Sequence, residues 1–414
     1  GLLFAVRLMT APTVFQNGSF VLNSNDPYLY RYWVELLHAS GIPPWEFPTR
    51  IATGEPLLVT VLWAATFVFG ADQWASGFVL AWYPVVSALI TGYLVYAIGV
   101  RVSDDPRVGL AAVLVLAVTP AHAYRTSLGF ADHHPFDYVW LAVTLYALVV
   151  ILTTNSRDRW TWVMAGILGA GIAGQVLAWE AGPLLIVPVG LAIGASSLFA
   201  LDRSTVFSSL LPAVAGVGMG AVLVWLAHVG LGWQIRAVVA SVFLLFLGSV
   251  IVLVLTVAVD RIGLTWPVLL VVEVLAVLAI GTFVLEVVPD VVFQLERGLE
   301  FLTRPTEIGE MSSLTEDYGP VFGPLIILGF APILALMGLA LAVWVSLTER
   351  RPAWMIVGTY VGYFAVLTLV QRRFAGELAP PLAVLAGFGF VAFLAWLDLV
   401  RVPAQLDSDS TPEG

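Results

Sequence analysis

Residues 237–259 read AVVASVFLLFLGSVIVLVLTVAV, an apolar run without one charged side chain, bounded by Arg236 before it and Asp260-Arg261 after it. A helix that crosses a bilayer needs about 20 consecutive apolar residues, so this stretch reads as a transmembrane helix. Runs of the same kind follow along the chain near 78–100, 107–123, 136–153, 159–178, 182–200, 205–228, 264–288, 321–347, 353–370 and 378–400. Composition agrees: 60% of the 414 residues are hydrophobic and 11% are charged, with a mean hydropathy of +0.95. A soluble domain carries about 25% charged residues. The expected fold is an all-α polytopic membrane protein of about 11–13 helices.

The same counts exclude several functions. No cysteine is present, which removes disulfide frameworks, thiolate metal sites and cysteine nucleophiles. A net charge of −10 leaves nothing to neutralise a run of phosphates, so no nucleic-acid partner is expected. All 18 basic residues are arginine.

The first apolar stretch, Gly1 to about Met9, is too short to span a bilayer, and the chain is expected to enter partway through its first helix. Residues 1–400 read as one membrane domain and 401–414 as a polar cytoplasmic tail or cut loop. The run from about Leu57 to Gly70 covers roughly two-thirds of a bilayer and is read as an interfacial or re-entrant segment. With that run set aside, Arg101, Arg107, Arg157, Arg159, Arg203, Arg261, Arg350, Arg351 and Arg401 all fall on one side. The positive-inside rule makes that side cytoplasmic.

The opposite, external side then receives residues 10–77, 124–135, 289–320 and the break Gln371–Glu377. The first and third of these are the long external loops 1 and 5, and long loops in a compact protein are usually functional. Three acid- or histidine-rich clusters fall there: Asn25-Asp26, Asp132-His133-His134 and Glu307-Ile308-Gly309-Glu310. Asp26 reads as a helix cap ahead of Pro27 or as a ligand for a metal or an amide. Asp132 and His134, two apart, can face one cation such as magnesium or manganese, or can simply meet water at the interface. Glu310 is either solvated or part of a lid that closes over substrate. Arg125 and Arg372-Arg373 either snorkel to headgroups or offer a planar fork to phosphate. Trp179 has the default interfacial role, and Glu273, placed inside a span, is a functional candidate. Asn17-Gly18-Ser19 is itself a glycosylation acceptor sequence on the external side.

In order and spacing, these pieces resemble the catalytic subunit of oligosaccharyltransferase in its archaeal form. The resemblance rests on Ser24-Asn25-Asp26-Pro27-Tyr28, on Arg125 through Asp132-His133-His134, on Glu307-Ile308-Gly309-Glu310, and on Gln371-Arg372-Arg373-Phe374 followed by Leu378-Ala379-Pro380-Pro381. It implies a GT-C type glycosyltransferase transmembrane domain in the cell membrane, with its active site on the extracellular face. It implies inverting transfer of an oligosaccharide from a polyprenyl (dolichyl) phosphate or diphosphate carrier to asparagine in Asn-x-Ser/Thr of an acceptor protein. Carried over residue by residue, Asp26, Asp132 and His134 hold Mn2+ or Mg2+, and Glu310 joins Asp26 on the acceptor amide. Arg125 matches a position needed for activity, so Asp26, Arg125 and Glu310 form the implied catalytic set. Arg373 matches the arginine on the lipid-linked phosphate, and Trp179 the lining of the glycolipid groove.

Two departures stand out. Ser24 replaces the first acid of the family's Asp-x-Asp, and Glu307 stands where a small hydroxyl residue is frequent. The family's Trp-Trp-Asp-Tyr-Gly run, which belongs to a soluble C-terminal domain, does not occur in these residues. The expectation is a membrane portion that holds donor and metal but binds acceptor poorly. Other polyprenyl-phosphate-sugar transferases, an ion-coupled transporter relying on Glu273, and a noncatalytic scaffold are the competing readings.

Overall fold

The computed structural model describes residues 1–46, 54–154, 158–201, 206–287, 289–303, 309–349 and 352–406. Glu307, Ile308, Arg157, Arg203, Arg350, Arg351 and the tail 407–414, all singled out above, lie outside them. The chain opens with α1 (Leu2–Arg7) and a hairpin of β1 (Phe15–Gln16) and β2 (Ser19–Phe20), then α2 (Asp26–Ser40) and α3 (Pro56–Thr66). The helices that follow are α4 (Gln73–Ser103), α5 (Pro106–Val118), α6 (Pro120–Arg125), α7 (His133–Thr153), α8 (Arg159–Ala178) and α9 (Gly182–Ala200). They continue as α10 (Val206–Leu231), α11 (Arg236–Ile262), α12 (Trp266–Val287), α13 (Pro289–Thr303), α14 (Gly319–Leu328), α15 (Ala331–Glu349), α16 (Pro352–Val370) and α17 (Ala375–Trp396).

Local chemistry sets many of these starts. Asp72, Asp105, Asp132 and Asp158 precede α4, α5, α7 and α8, and each side chain accepts a backbone N–H of the first turn, satisfying a donor the helix itself leaves orphaned. Proline occupies the first helical position of α3, α5, α6 and α16, where its missing N–H costs nothing.

Among the described residues, nine helices are long and apolar enough to cross a membrane, or ten if the bent pair α14–α15 is one span. Two expected spans need correction. The span read at 107–123 is α5, only 13 residues long, broken from α6 at Thr119. Pro120 holds the residue before it in an extended conformation (Thr119 ψ 113°) and removes a ladder N–H. The buried Arg7 guanidinium takes up the freed carbonyls of Ala117 (2.8 Å) and Leu116 (3.4 Å). The span read at 321–347 is two helices meeting at 94°, hinged on Gly329 at φ 65°, ψ −144°, a conformation essentially closed to residues with a Cβ. The segment read as external loop 289–320 carries a helix, α13. The short run near Leu57–Gly70 is α3 with a 3-10 extension, too short to cross as expected.

The layout places the clusters at one end of the bundle. α17 is buried along most of its length and packs against α4, α5, α15 and α16; α12 is exposed along most of its length. His133 begins α7 and Thr153 ends it, about 30 Å apart at 1.5 Å per residue. At the Thr153 end, Arg101 donates to Thr153 and Thr154, and Arg107 reaches the Arg401 carbonyl. Arg101, Arg107 and Arg401 therefore gather at the opposite end from Asp132-His133-His134.

Candidate active site

Asp132 starts the site. It stands in extended conformation (φ −149°, ψ 169°) ahead of α7, and its Oδ1 accepts the His133 N–H at 2.6 Å. Its Oδ1 also meets His133 Nδ1 at 2.7 Å, and its Oδ2 faces His134 Nε2 at 3.9 Å. Residues 125–135 are buried throughout, so this is no polar loop merely meeting water. Buried polar groups at this density have to satisfy one another.

Asp26 arrives by backbone docking. The Asn23 N–H donates to the Gly129 carbonyl at 2.9 Å and the Asn23 amide to the Leu128 carbonyl at 2.9 Å, which brings the start of α2 beside the turn leading to Asp132. Gly129 has φ +84° and a Cβ there would strike Val14. Asn25 makes no side-chain cap. Asp26 lies at the open rim, where partial burial pushes its carboxyl up and the charges of Asp132 and Glu310 push it further, while His133 and Arg373 pull the other way. The four residues are thus electrostatic neighbours of Asp26. The compact donor set, with ligand atoms within 4.8 Å of one another, is Asp132, His133 and His134; Asp26 lies outside that set.

Arg125, at the C-terminus of α6, is the hub. One of its nitrogens donates to His134 Nε2 and, at 3.0 Å, to the carbonyl of Arg373; the other reaches Glu310 Oε2 at 3.0 Å. Glu310 sits in the turn Gly309–Met311 with its side chain 45% exposed. That turn is docked on the break before α17 by Arg372 N–H to the Ser312 carbonyl (2.9 Å) and Ser313 Oγ to the Leu369 carbonyl (2.9 Å). Arg373 lies between two rings, with its guanidinium 5.1 Å from the centre of Trp179 and 5.2 Å from that of Phe301. Each such contact contributes about 0.5–2 kcal/mol. Trp179 stacks in turn on His133 at 4.9 Å.

The site has members that the sequence reading missed. Buried Glu55, just ahead of α3, accepts from Tyr30 and faces His133 Nδ1 at 3.4 Å; burial pushes its carboxyl up to about 7 against the pull of His133. Glu377 accepts at His134 Nδ1 (2.8 Å), and Asp137 lies within 4.8 Å of both. Asp137 had a legible signal, since three residues after His134 on a helix it must share a face. Phe301 and Arg7 had none. Glu273 does not join the cluster; it accepts from Ser197 of α9 at 2.7 Å, within the membrane region.

Residues 15–400 match the family model described as oligosaccharyl transferase STT3, N-terminal. A curated relative, dolichyl-phosphooligosaccharide-protein glycotransferase 2 of Archaeoglobus fulgidus, is 23% identical over 223 residues, 51% of this chain and 35% of that protein. The archaeal oligosaccharyltransferase AglB from A. fulgidus, solved in complex with an inhibitory peptide and a dolichol-phosphate, aligns with a TM-score of 0.76 and 20% identity. The alignment covers 96% of this chain and 50% of that one. An A. fulgidus oligosaccharyltransferase tethered to an acceptor peptide containing the NVT sequon gives 0.73 and 19%, over 96% and 50%. The chain thus spans about a third of the curated relative and half of each solved one. At these identities the structural likeness establishes the fold, a GT-C type membrane architecture.

Proposed function

The chain belongs to the oligosaccharyl transferase STT3 family, and we propose that it supplies the membrane catalytic core for transfer of an oligosaccharide from a dolichyl-type phosphate or diphosphate to asparagine in Asn-x-Ser/Thr. The observation that carries this reading is convergence. Asp26, Arg125 with Asp132 and His134, Glu310, and Arg373 come from four separate chain segments and meet at one end of the bundle. Arg101, Arg107 and Arg401 at the other end support placing this site on the extracellular face of the cell membrane.

The donor set suits a hard divalent cation such as Mg2+ or Mn2+. Asp132 Oδ2 and His134 Nε2 face one another across 3.9 Å, and the guanidinium of Arg125 at His134 Nε2 marks where a positive partner is accepted. Asp132 and His134 would hold the ion directly, with Asp26 closing from the rim. Bound there, the ion would supply neutralisation of charge growing on the leaving phosphate.

The protein's own groups have distinct tasks. Asp26 and Glu310 accept the two hydrogens of the acceptor carboxamide, which withdraws the nitrogen lone pair from resonance and frees it to attack. The bond from that nitrogen to the sugar anomeric carbon forms as the carbon–oxygen bond to the phosphate breaks, inverting the carbon; the electron pair leaves with the carrier phosphate, and one amide proton passes to the carboxylate that held it, Asp26 or Glu310. Arg373, seated against the rings of Trp179 and Phe301, receives the phosphate oxygens on its guanidinium fork. Arg125 ties Glu310 to the Arg373 backbone, so the acceptor and phosphate positions keep register around the place of the ion, which would replace the guanidinium at His134 Nε2. In the full-length protein, transfer to an Asn-x-Thr peptide is expected to require a divalent ion and to vanish in Asp26→Ala and Asp132→Ala, the first melting with the parent and the second lower, because Asp132 also caps α7. Near-normal transfer by both variants would remove the site from the reaction.

A further inference from the structure

The two ring nitrogens of His134 face different partners. Nε2 looks toward Arg125 and Asp132, whereas Nδ1 meets Glu377 Oε1 at 2.8 Å. His134 is 1% exposed and Glu377 0%, so no bulk water competes for either contact. A guanidinium carries donors only. Nε2 must therefore offer a lone pair to Arg125, and the ring proton of the neutral imidazole belongs on Nδ1, aimed at Glu377.

We propose that Glu377 is a positioning residue that locks His134 in the Nδ1–H tautomer and fixes its ring plane, so that the Nε2 lone pair, which accepts from Arg125 in this structure, is the one a cation shared with Asp132 would take in its place. This rests on the metal reading given above and names a residue that reading does not use. A carboxylate behind a ligating histidine raises the basicity of the ligand and removes the entropy of ring rotation. The fold builds the contact deliberately close. Glu377 lies in the first turn of α17, where the helix dipole favours a carboxylate. Its neighbour Gly376 lets α7 and α17 come together, since a Cβ on Gly376 would lie 1.8 Å from the Tyr138 hydroxyl. Glu377 also has a second oxygen, Oε2, with no hydrogen-bond partner in the structure, as do both oxygens of buried Asp137. Asp137 flanks the same pair and keeps the pocket acidic behind the histidine.

The test uses the purified full-length protein, with Mn2+ itself as the probe, followed by electron paramagnetic resonance and by melting with and without Mn2+. The parent is expected to bind one Mn2+ per chain, and Asp132→Ala to lose it. Glu377→Leu is expected to weaken Mn2+ binding about 10–100-fold and to lower the metal-free melting temperature, because the His134 Nδ1–H is left buried without its acceptor. Glu377→Gln, which keeps an oxygen able to accept the Nδ1–H, is expected to fall between; it carries the comparison should the leucine variant not fold. Parent-like Mn2+ affinity in Glu377→Leu or Glu377→Gln, with Asp132→Ala still defective, would overturn this inference and leave the metal reading standing. Mn2+ binding untouched by Asp132→Ala would overturn both. Two equivalents of Mn2+ per chain, the second lost in Asp137→Asn, would make Glu377 a ligand and overturn its positioning role.

Discussion

Replacing Arg125 by lysine keeps the charge and removes the fork. In the parent, one terminal nitrogen serves both the Arg373 carbonyl and His134, and the other serves Glu310. A lysine ammonium is a compact point on a differently shaped stem and can hold one of these three places, so two hydrogen bonds are lost. A bond involving a charged group contributes about 1.5–3 kcal/mol and a more ordinary one about 0.5–1.5. The Glu310 carboxylate is 45% exposed, so its bond belongs at the low end. The combined loss is about 2–4 kcal/mol of positioning energy, which at 1.36 kcal/mol per decade corresponds to roughly a 30- to 1,000-fold slower chemical step. Single-turnover transfer to an Asn-x-Thr peptide at saturating lipid donor, in full-length Arg125→Lys, is the direct assay. Melting should change little, because α6 keeps its Pro120 start and its buried neighbours. A rate within about threefold of the parent would refute the argument that one guanidinium keeps the acceptor and phosphate positions in register.

Arg373→Met should raise the KM for the lipid-linked donor at least tenfold, with a smaller change in KM for peptide, because a cation seated between Trp179 and Phe301 is lost; equal effects on both would argue against a donor role. Glu55→Gln tests linkage to pH. The Glu55 carboxyl is raised from 4.5 to about 7 in the fold, so the folded state binds the extra proton between those values. Its cost to stability is absent below pH 4.5, grows as pH rises, and is complete above about 7 at order 3 kcal/mol. The glutamine variant should therefore melt with the parent near pH 4.5 and above it at pH 8, as followed by thermal unfolding of the metal-free protein. Asn17 stands exposed at φ +49° with Gly18 at +78° at the tip of the β1–β2 hairpin. Mass spectrometry of protein from a glycosylating host should find glycan at this position, and the added mass should disappear in Asn17→Gln.

Much of this protein is readable without coordinates, and the reason is local physics. Apolar runs the length of a bilayer, aspartates and prolines at helix starts, and arginine in every short loop of one side each depend on neighbours a few residues away. They suffice for a polytopic bundle and for the one end shared by Asp26, Asp132, His134, Glu310 and Arg373. The helix breaks at Thr119-Pro120 and Gly329 carried local signals as well, yet continuous hydropathy concealed them. Tertiary structure alone decided which side chains face one another. Glu377 lies 243 residues from His134 and Arg7 lies 115 from His122; nothing in the order of either segment encodes the contact. A glutamate at the mouth of a span reads as solvated until packing of α7 against α17 removes water from around it. What it then does, accept a particular imidazole proton, follows from geometry that only the folded chain creates.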